Sequence, residues 1–562
     1  MPRVSLARTR AGSWALAASM LLVAAVSPFE RALPGSFFGF TVTTVEAAVV
    51  IAIVIAAIAW LKDPHELNWR TPISVPLAAL VACAFVAAVA APEFQGNAIR
   101  VAARLAAAAL LFIIVANIAR DDRAARQIVA ALLASASIVG VIAALELAQL
   151  PWVLNALTAF RPGFHVVGGQ LRATSTLFYP TITSMFLEVA FALGLVWIGR
   201  SRVAFVALAL TGAGVIATFT RSGLITIAIS MLIYGGVLFV RRGGFGIDHR
   251  RLALMAAILV ALVLMSRSPQ MLVARMSVEG SQDWYGASYD VPRELQLRPD
   301  SFNDVEIALT NEGRLSWQST ATPPFALSYH FLNAAEEVVI FDGLRTPFAR
   351  AIEPGETVKM KARVRAPVYP GDYILIWDVV QEHRTWLSLE GVFPGRSSVA
   401  VEGTPVGAPL APQGRMPAGV MRMPRAVLWQ AAFAIAKDRP LLGIGPDNFR
   451  RTYGRRLGLA AWDERVHANN SYIEVLVGMG IAGAAAMAWL GINALRAGAS
   501  LLQRASDARL PIAAASCAAV VAIAVHALVD SFLTFTPTYT VFAIAAGLLF
   551  AGCGAGRRRA AA

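Results

Sequence analysis

The sequence predicts a polytopic α-helical membrane protein of about 12 transmembrane helices, with an extracytoplasmic β-sandwich inserted in one loop. Three observations predict it. The 562 residues are 57% hydrophobic and 15% charged, with a mean hydropathy of +0.60, more apolar than the roughly one-half usual for soluble domains. Apolar runs of about 20 residues, the length that crosses a hydrocarbon core, recur along the chain. Between 284 and 402 the pattern changes to short alternating stretches.

The runs lie near 11–29, 41–61, 72–92, 99–119, 127–148, 178–199, 203–219, 222–240, 252–267, 470–495, 510–530 and 536–555. The first has a basic start and an apolar centre, and it flows into further spans, so it reads as a retained helix rather than a cleaved signal. The net charge of +14 is spread through short loops instead of one basic domain, which argues against a nucleic-acid partner. Basic residues at Arg3, Arg8 and Arg10, Lys62 and Arg70, Arg120 to Arg126, Arg200 and Arg202, Arg241 to Arg251, Arg496 to Arg509 and Arg557 to Arg559 all fall on one side of the predicted spans. By the positive-inside rule both termini are cytoplasmic, and segment 268–469 is extracytoplasmic.

The predicted organisation is nine spans in 1–267, the outer segment 268–469, and three spans in 470–562. Within the outer segment, stretches such as DVEIALTN, FALSYHFLN and DYILIWDVV alternate with period two between turn signals, which reads as an antiparallel sandwich of roughly seven strands at 284–402. Trp317, Tyr329, Phe331, Trp377 and Trp386 fill its core or form a sugar-stacking platform. Residues 403–420 read as a linker. A surface helix and catalytic loop occupy 421–469, the helix with Val427, Ala431, Phe433 and Ile435 on its apolar face. Cys83, Cys517 and Cys553 fall in spans without paired spacing, and no thiolate or other metal-ligand spacing appears.

Charge at bilayer depth costs at least about 2.5–3.5 kcal/mol, so the polar residues near the outer face need reasons. In TFTRSG, Arg221 is a snorkelling turn residue or a ligand group. In LRATSTLFYP, Arg172 and its hydroxyl neighbours fit either a structural or a functional role. Arg100 and Arg104 open the fourth span and are weaker candidates. Arg425 opens the surface helix; the RPLLGIGPDNF after it lacks the strand and the Lys-Ser/Thr of a phosphate loop and reads as a tight turn. In RVHANNSYIE, His467 is a structural residue or a base, and Asn469 or Asn470 caps the helix that follows. Imidazole suits proton removal near neutral pH, and guanidinium forks suit phosphate oxygens.

RATSTLFYP, TFTRSG, Arg425 with Trp429 and PLLGIGPDNF, and HANNSYIEVLVGMGIAG together resemble the O-antigen ligase and O-antigen polymerase superfamily of bacterial envelope glycosyltransferases. The resemblance implies a GT-C-like fold in the bacterial inner membrane and a polyprenyl-diphosphate-linked glycan as donor. It implies His467 as the catalytic residue for an acceptor hydroxyl, with Arg221, Arg425 and Arg172 on the donor diphosphate. Asn470 and Glu474 match the pattern as further substrate-site residues. Where the family often has a second histidine this chain has Asn469, so a two-histidine mechanism does not carry over. No cofactor is implied. The acceptor is a glycan, lipid or protein, which leaves ligase, polymerase and protein O-glycosyltransferase open. A lipid-linked oligosaccharide flippase or transporter is the competing class, although no internal repeat of transporter type appears.

Overall fold

The structure is a computed structural model; it describes residues 3–34, 42–161, 165–167, 170–266, 284–320, 324–382, 385–416, 424–459, 462–532 and 534–551. Cys553, Arg557 to Arg559 and the end of the predicted linker lie outside them.

Seven helices are long and apolar enough to cross a membrane. They are α2 (Thr44–Lys62), α4 (Gln95–Ile118), α5 (Asp122–Leu147), α7 with its short 3-10 extension (Pro180–Trp197), α9 (Arg221–Arg242), α10 (Ile247–Ser266) and α13 (Ser471–Arg504). Shorter apolar helices stand at the other five predicted runs: α1 (Arg3–Val26), apolar from Trp14, α3 (Ser74–Val89), α8 (Arg202–Ala217), α14 (Leu510–His526) and α15 (Thr536–Phe550). A small helix, α6 (Pro151–Leu157), and a hairpin of β1 (His165–Val167) and β2 (Gln170–Arg172) lead into α7. The polytopic helical reading holds.

Helix ends follow the local chemistry. Thr43 and Glu46 close α2 with reciprocal side-chain bonds to backbone N–H groups, and Ser201 caps α8. Prolines open α7, α14 and α15, where a missing N–H costs nothing. The centre of the bundle is α7, almost wholly buried, with α14 packed on α7, α9 and α15. These inner helices carry polar side chains that lipid does not touch, Glu188 and His526 among them.

Between 284 and 401 the described residues form two sheets around one apolar core. The larger runs in the order β4 (Glu294–Leu297), β12 (Gly395–Val401), β10 (Gly371–Gln381), β6 (Phe325–Asn333) and β7 (Val338–Ile340), with β11 (Thr385–Trp386) on β10 and β8 (Thr346–Pro347) on β6. The smaller is β3 (Ala287–Asp290), β5 (Phe302–Asn311) and β9 (Thr357–Arg365). Two details differ from the sequence reading: among the described residues there are ten strands here, and β12 pairs β4 in parallel. The extra strands are pieces of two to four residues, too short for period-two alternation to register. Trp317, Tyr329, Phe331 and Trp377 are buried in that core, and Trp386 is buried in a separate cluster with Ala326 and Val380, so none of the five forms an exposed sugar platform.

Candidate functional site

Two helices and a glycine-rich loop build the site. After the β domain the chain forms α11 (Arg425–Asp438), opened by Pro424. Its buried face is Leu428, Ala431, Ala432 and Ile435, an i, i+3, i+4, i+7 stripe; Phe433, expected on that face, is exposed instead. The helix packs on α13.

Helix α13 is broken at Gly480, whose φ of +62° and ψ of −163° leave the helical region. The loop of Gly443, Ile444 and Gly445 fills the break. Ile444 N donates to Val477 O at 3.0 Å and Gly445 N to Gly478 O at 2.9 Å, while Ile481 N donates to Pro440 O at 2.8 Å. Side chains have no room in this seam: a Cβ at Gly443 would stand 2.3 Å from Val477 O, and one at Gly480 2.3 Å from Leu441. The turn expected from RPLLGIGPDNF is therefore a backbone lock between loop and helix.

The lock sets Asp447 beside His467. Asp447 has a left-handed φ of +64°, and Arg450, in α12 (Phe449–Arg456), holds its other oxygen through Nε at 2.8 Å. Asn448 donates to Glu93 O, and Asn97 reaches both Asp447 and Asn448, tying the loop to α4. His467 Nδ1 lies 3.5 Å from Asp447 Oδ1 and 3.6 Å from Glu474 Oε1. These are ion-pair separations rather than good hydrogen bonds. Burial works against charging this imidazole, but Glu474 beside it, and then the Asp447 charge, outweigh burial and hold it above its usual value. With Nδ1 turned toward two carboxylates, Nε2 is the nitrogen left to take a proton.

Asn470 caps α13, its side-chain oxygen accepting from Tyr472 N at 3.0 Å and Ile473 N at 3.1 Å, while its amide donates to Leu528 O. Glu474 accepts from Ala468 N at 2.7 Å, and Trp429 donates to Ala468 O at 2.8 Å. Both polar side chains are thus engaged with the protein's own backbone and position the histidine loop. A cavity of about 50 Å³ opens beside His467, with Asp447, Ser471, Glu474, Ser531 and Thr534 among its lining and Val101, Leu105 and Met479 as apolar wall. It has room for a few waters.

Two of the arginines meet at one turn. Arg172 donates from Nε to Thr218 O at 3.0 Å and from Nη2 to Thr220 Oγ1 at 3.1 Å, so its guanidinium is fixed against the turn that presents Arg221 at the start of α9. The loop carrying Arg172 is itself anchored by the buried Glu146, which accepts from Ser175 N, Thr174 N and Arg161. Arg425 stands within electrostatic reach of His526. The two halves meet where Ser471 N donates to Ala527 O at 2.9 Å and Ser471 Oγ to Asp530 O at 2.9 Å. Arg104 pairs with Glu46 at 2.8 Å and donates to the backbone oxygen of Thr534.

Sequence reasoning missed Asp447, read only as part of a turn, and a trio of the buried His526 and Glu188 with the half-buried Ser222. His526 Nδ1 lies 2.8 Å from Glu188 Oε2, and its Nε2 lies 2.8 Å from Ser222 Oγ. Both ionisable residues sit alone in otherwise apolar runs, and a lone ionisable group in a span is a functional candidate by default.

Among family models, that of the O-antigen ligase family matches residues 418–488, which contain Arg425, Asp447, His467, Asn470 and Glu474. That segment of the chain is similar to the O-antigen ligase family. The reaction class of that family is glycosyl transfer of the ligase or polymerase type. The family match does not reach Arg172, Arg221, Glu188, Ser222 or His526. No curated protein matches the chain. One matching solved structure, the Pseudomonas fluorescens alkylpurine DNA glycosylase AlkC bound to DNA containing an abasic site analog, is 13% identical over 53% of this chain and 77% of its own, with a TM-score of 0.13. Agreement that slight carries no argument about fold or function.

Proposed function

We propose that this protein transfers a glycan from a polyprenyl-diphosphate donor to an acceptor hydroxyl at the outer face of the bacterial inner membrane. In this reading the seven long helices and five shorter ones make twelve spans, with both termini cytoplasmic. The observation that supports it best is the imidazole of His467, its Nδ1 between two carboxylates and its ring on a small cavity. A base oriented by carboxylates is the arrangement general-base catalysis needs.

The acceptor oxygen enters the cavity beside His467 and attacks the anomeric carbon. Its proton passes to His467 Nε2 as the bond from that carbon to the phosphate oxygen breaks. The diphosphate leaves with the electron pair, and Arg221, Arg425 and Arg172 stabilise the charge it gains. One displacement inverts the anomeric centre. Asp447 and Glu474 stabilise the imidazolium that forms, and Asn470 fixes the helix end on which the loop is hung.

The test is transfer by the purified full-length chain in proteoliposomes supplied with a polyprenyl-diphosphate-linked glycan and a glycan, lipid or protein acceptor. A new glycosidic product with release of the polyprenyl diphosphate supports the reading. Movement of the lipid-linked glycan across the bilayer with no product would instead support a flippase.

A further inference from the structure

We infer that Ser222 donates a hydrogen bond to the diphosphate of the lipid-linked donor, and that His526 and Glu188, buried behind it, hold its hydroxyl in that role. The inference rests on the donor proposed above and extends it to three residues outside the segment that matches the ligase family.

Glu188 lies on the central helix α7, fully enclosed. Ser184 Oγ donates to it at 2.5 Å and Thr226 Oγ1 at 2.6 Å, and His526 Nδ1 completes the set at 2.8 Å. An ionised carboxylate only accepts, so Nδ1 carries a hydrogen. The other nitrogen faces Ser222 Oγ at 2.8 Å, with the Asp530 carboxylate 3.9 Å away. Charged groups face this ring from every side: Glu188 from α7, Asp530 from the loop after α14, and Arg425 from α11. A carboxylate beside each ring nitrogen, Glu188 2.8 Å from Nδ1 and Asp530 3.9 Å from Nε2, favours hydrogen on both, so Nε2 donates to Ser222 Oγ. The serine must then send its own hydrogen elsewhere.

Ser222 stands in the first turn of α9. Ser222 follows Arg221 directly, and Arg172 is bonded to Thr218 and Thr220 just before it. A hydroxyl whose oxygen is already bonded to a cationic ring is a stronger donor, by polarisation along the chain of bonds. Phosphate oxygens are the acceptors that guanidinium groups select. Ser222 therefore adds a short, directional contact to a pair of long cationic side chains. His526 and Glu188 act through it as positioning residues.

Affinity of the full-length chain in nanodiscs tests this, with undecaprenyl diphosphate and undecaprenol as probes. Ser222→Ala is expected to weaken the diphosphate about tenfold or more, the worth of one hydrogen bond to a charged group, and to leave undecaprenol binding unchanged. Ser222→Thr keeps the hydroxyl and restores most of the affinity. His526→Gln weakens the diphosphate in the same way, and the double variant Ser222→Ala with His526→Gln is no weaker than Ser222→Ala alone, because the two act as one unit. Wild-type affinity in Ser222→Ala overturns the inference, as does an equal loss for both lipids or a glycan covalently attached to Ser222. A wild-type chain that binds the two lipids alike overturns the proposed donor as well, so the two failures are distinguishable.

Discussion

Substituting Gly443 by alanine should cost stability and activity together, and Gly458→Ala is its control. Both glycines have left-handed φ, +68° and +71°, and each alanine there carries roughly 1–2 kcal/mol of backbone strain. They differ in what a methyl would meet. At Gly458 nothing lies within 4 Å, whereas at Gly443 the added Cβ falls 2.3 Å from Val477 O, 2.6 Å from Gly478 C and 2.7 Å from Met479 N. All three are backbone atoms, so loop and helix must part by about 1 Å to reach ordinary contact. That breaks the Ile444–Val477 and Gly445–Gly478 bonds, each costing about 1–3 kcal/mol when buried groups are left unpaired. Gly443→Ala is therefore expected to lose about 2–6 kcal/mol more than Gly458→Ala. Since Asp447 follows the lock, a displacement of this size should slow transfer about a hundredfold. Thermal inactivation in nanodiscs and transfer rate, measured on both variants, decide it. If the two unfold together and both keep wild-type rate, the seam does not hold the site.

Other expectations follow from the same geometry. His467 acts as base only when neutral and is held above its usual value, so kcat/KM should rise with pH through a limb set by that histidine; Glu474→Gln, which removes the principal cause, should move the limb to lower pH. Arg425→Ala should slow transfer about a hundredfold, on the order of 3 kcal/mol of barrier, with no change in thermal midpoint. Glu146→Gln removes the carboxylate charge 2.6 Å from the buried Arg161 guanidinium and should destabilise by about 3–5 kcal/mol, read as a lower inactivation temperature. Arginines supply the positive charge in the proposed step, so transfer should survive EDTA, and its loss on chelation would count against that step.

Much of the fold was legible because the relevant signals are local. Apolar runs place the long helices, and Thr43, Ser201 and the opening prolines mark helix ends through bonds within a few residues. The β segment showed itself by alternation, but β4, four residues pairing in parallel with β12, left no pattern to read. Phe433 was misplaced because α11 buries the stripe through Leu428 and Ala432, a choice made by α13 and not by α11 alone. The site divides likewise. His467, Arg221, Arg172 and Arg425 stood out as polar groups in apolar surroundings, and Asn470 was readable as a cap. Asp447 was hidden because its approach to His467 depends on a seam between chain segments some 30 residues apart and on a helix break at Gly480, which hydropathy reads as continuous. Glu188 and His526 carried a usable signal, single ionisable residues in apolar runs, yet their pairing spans the bundle.

The most direct test of the account compares wild type with His467→Gln for two quantities on one preparation: binding of undecaprenyl diphosphate, and the rate of glycan transfer from the lipid-linked donor. The account predicts unchanged affinity with a rate lower by about 10²–10⁴. A His467→Gln enzyme that transfers at near wild-type rate would contradict it.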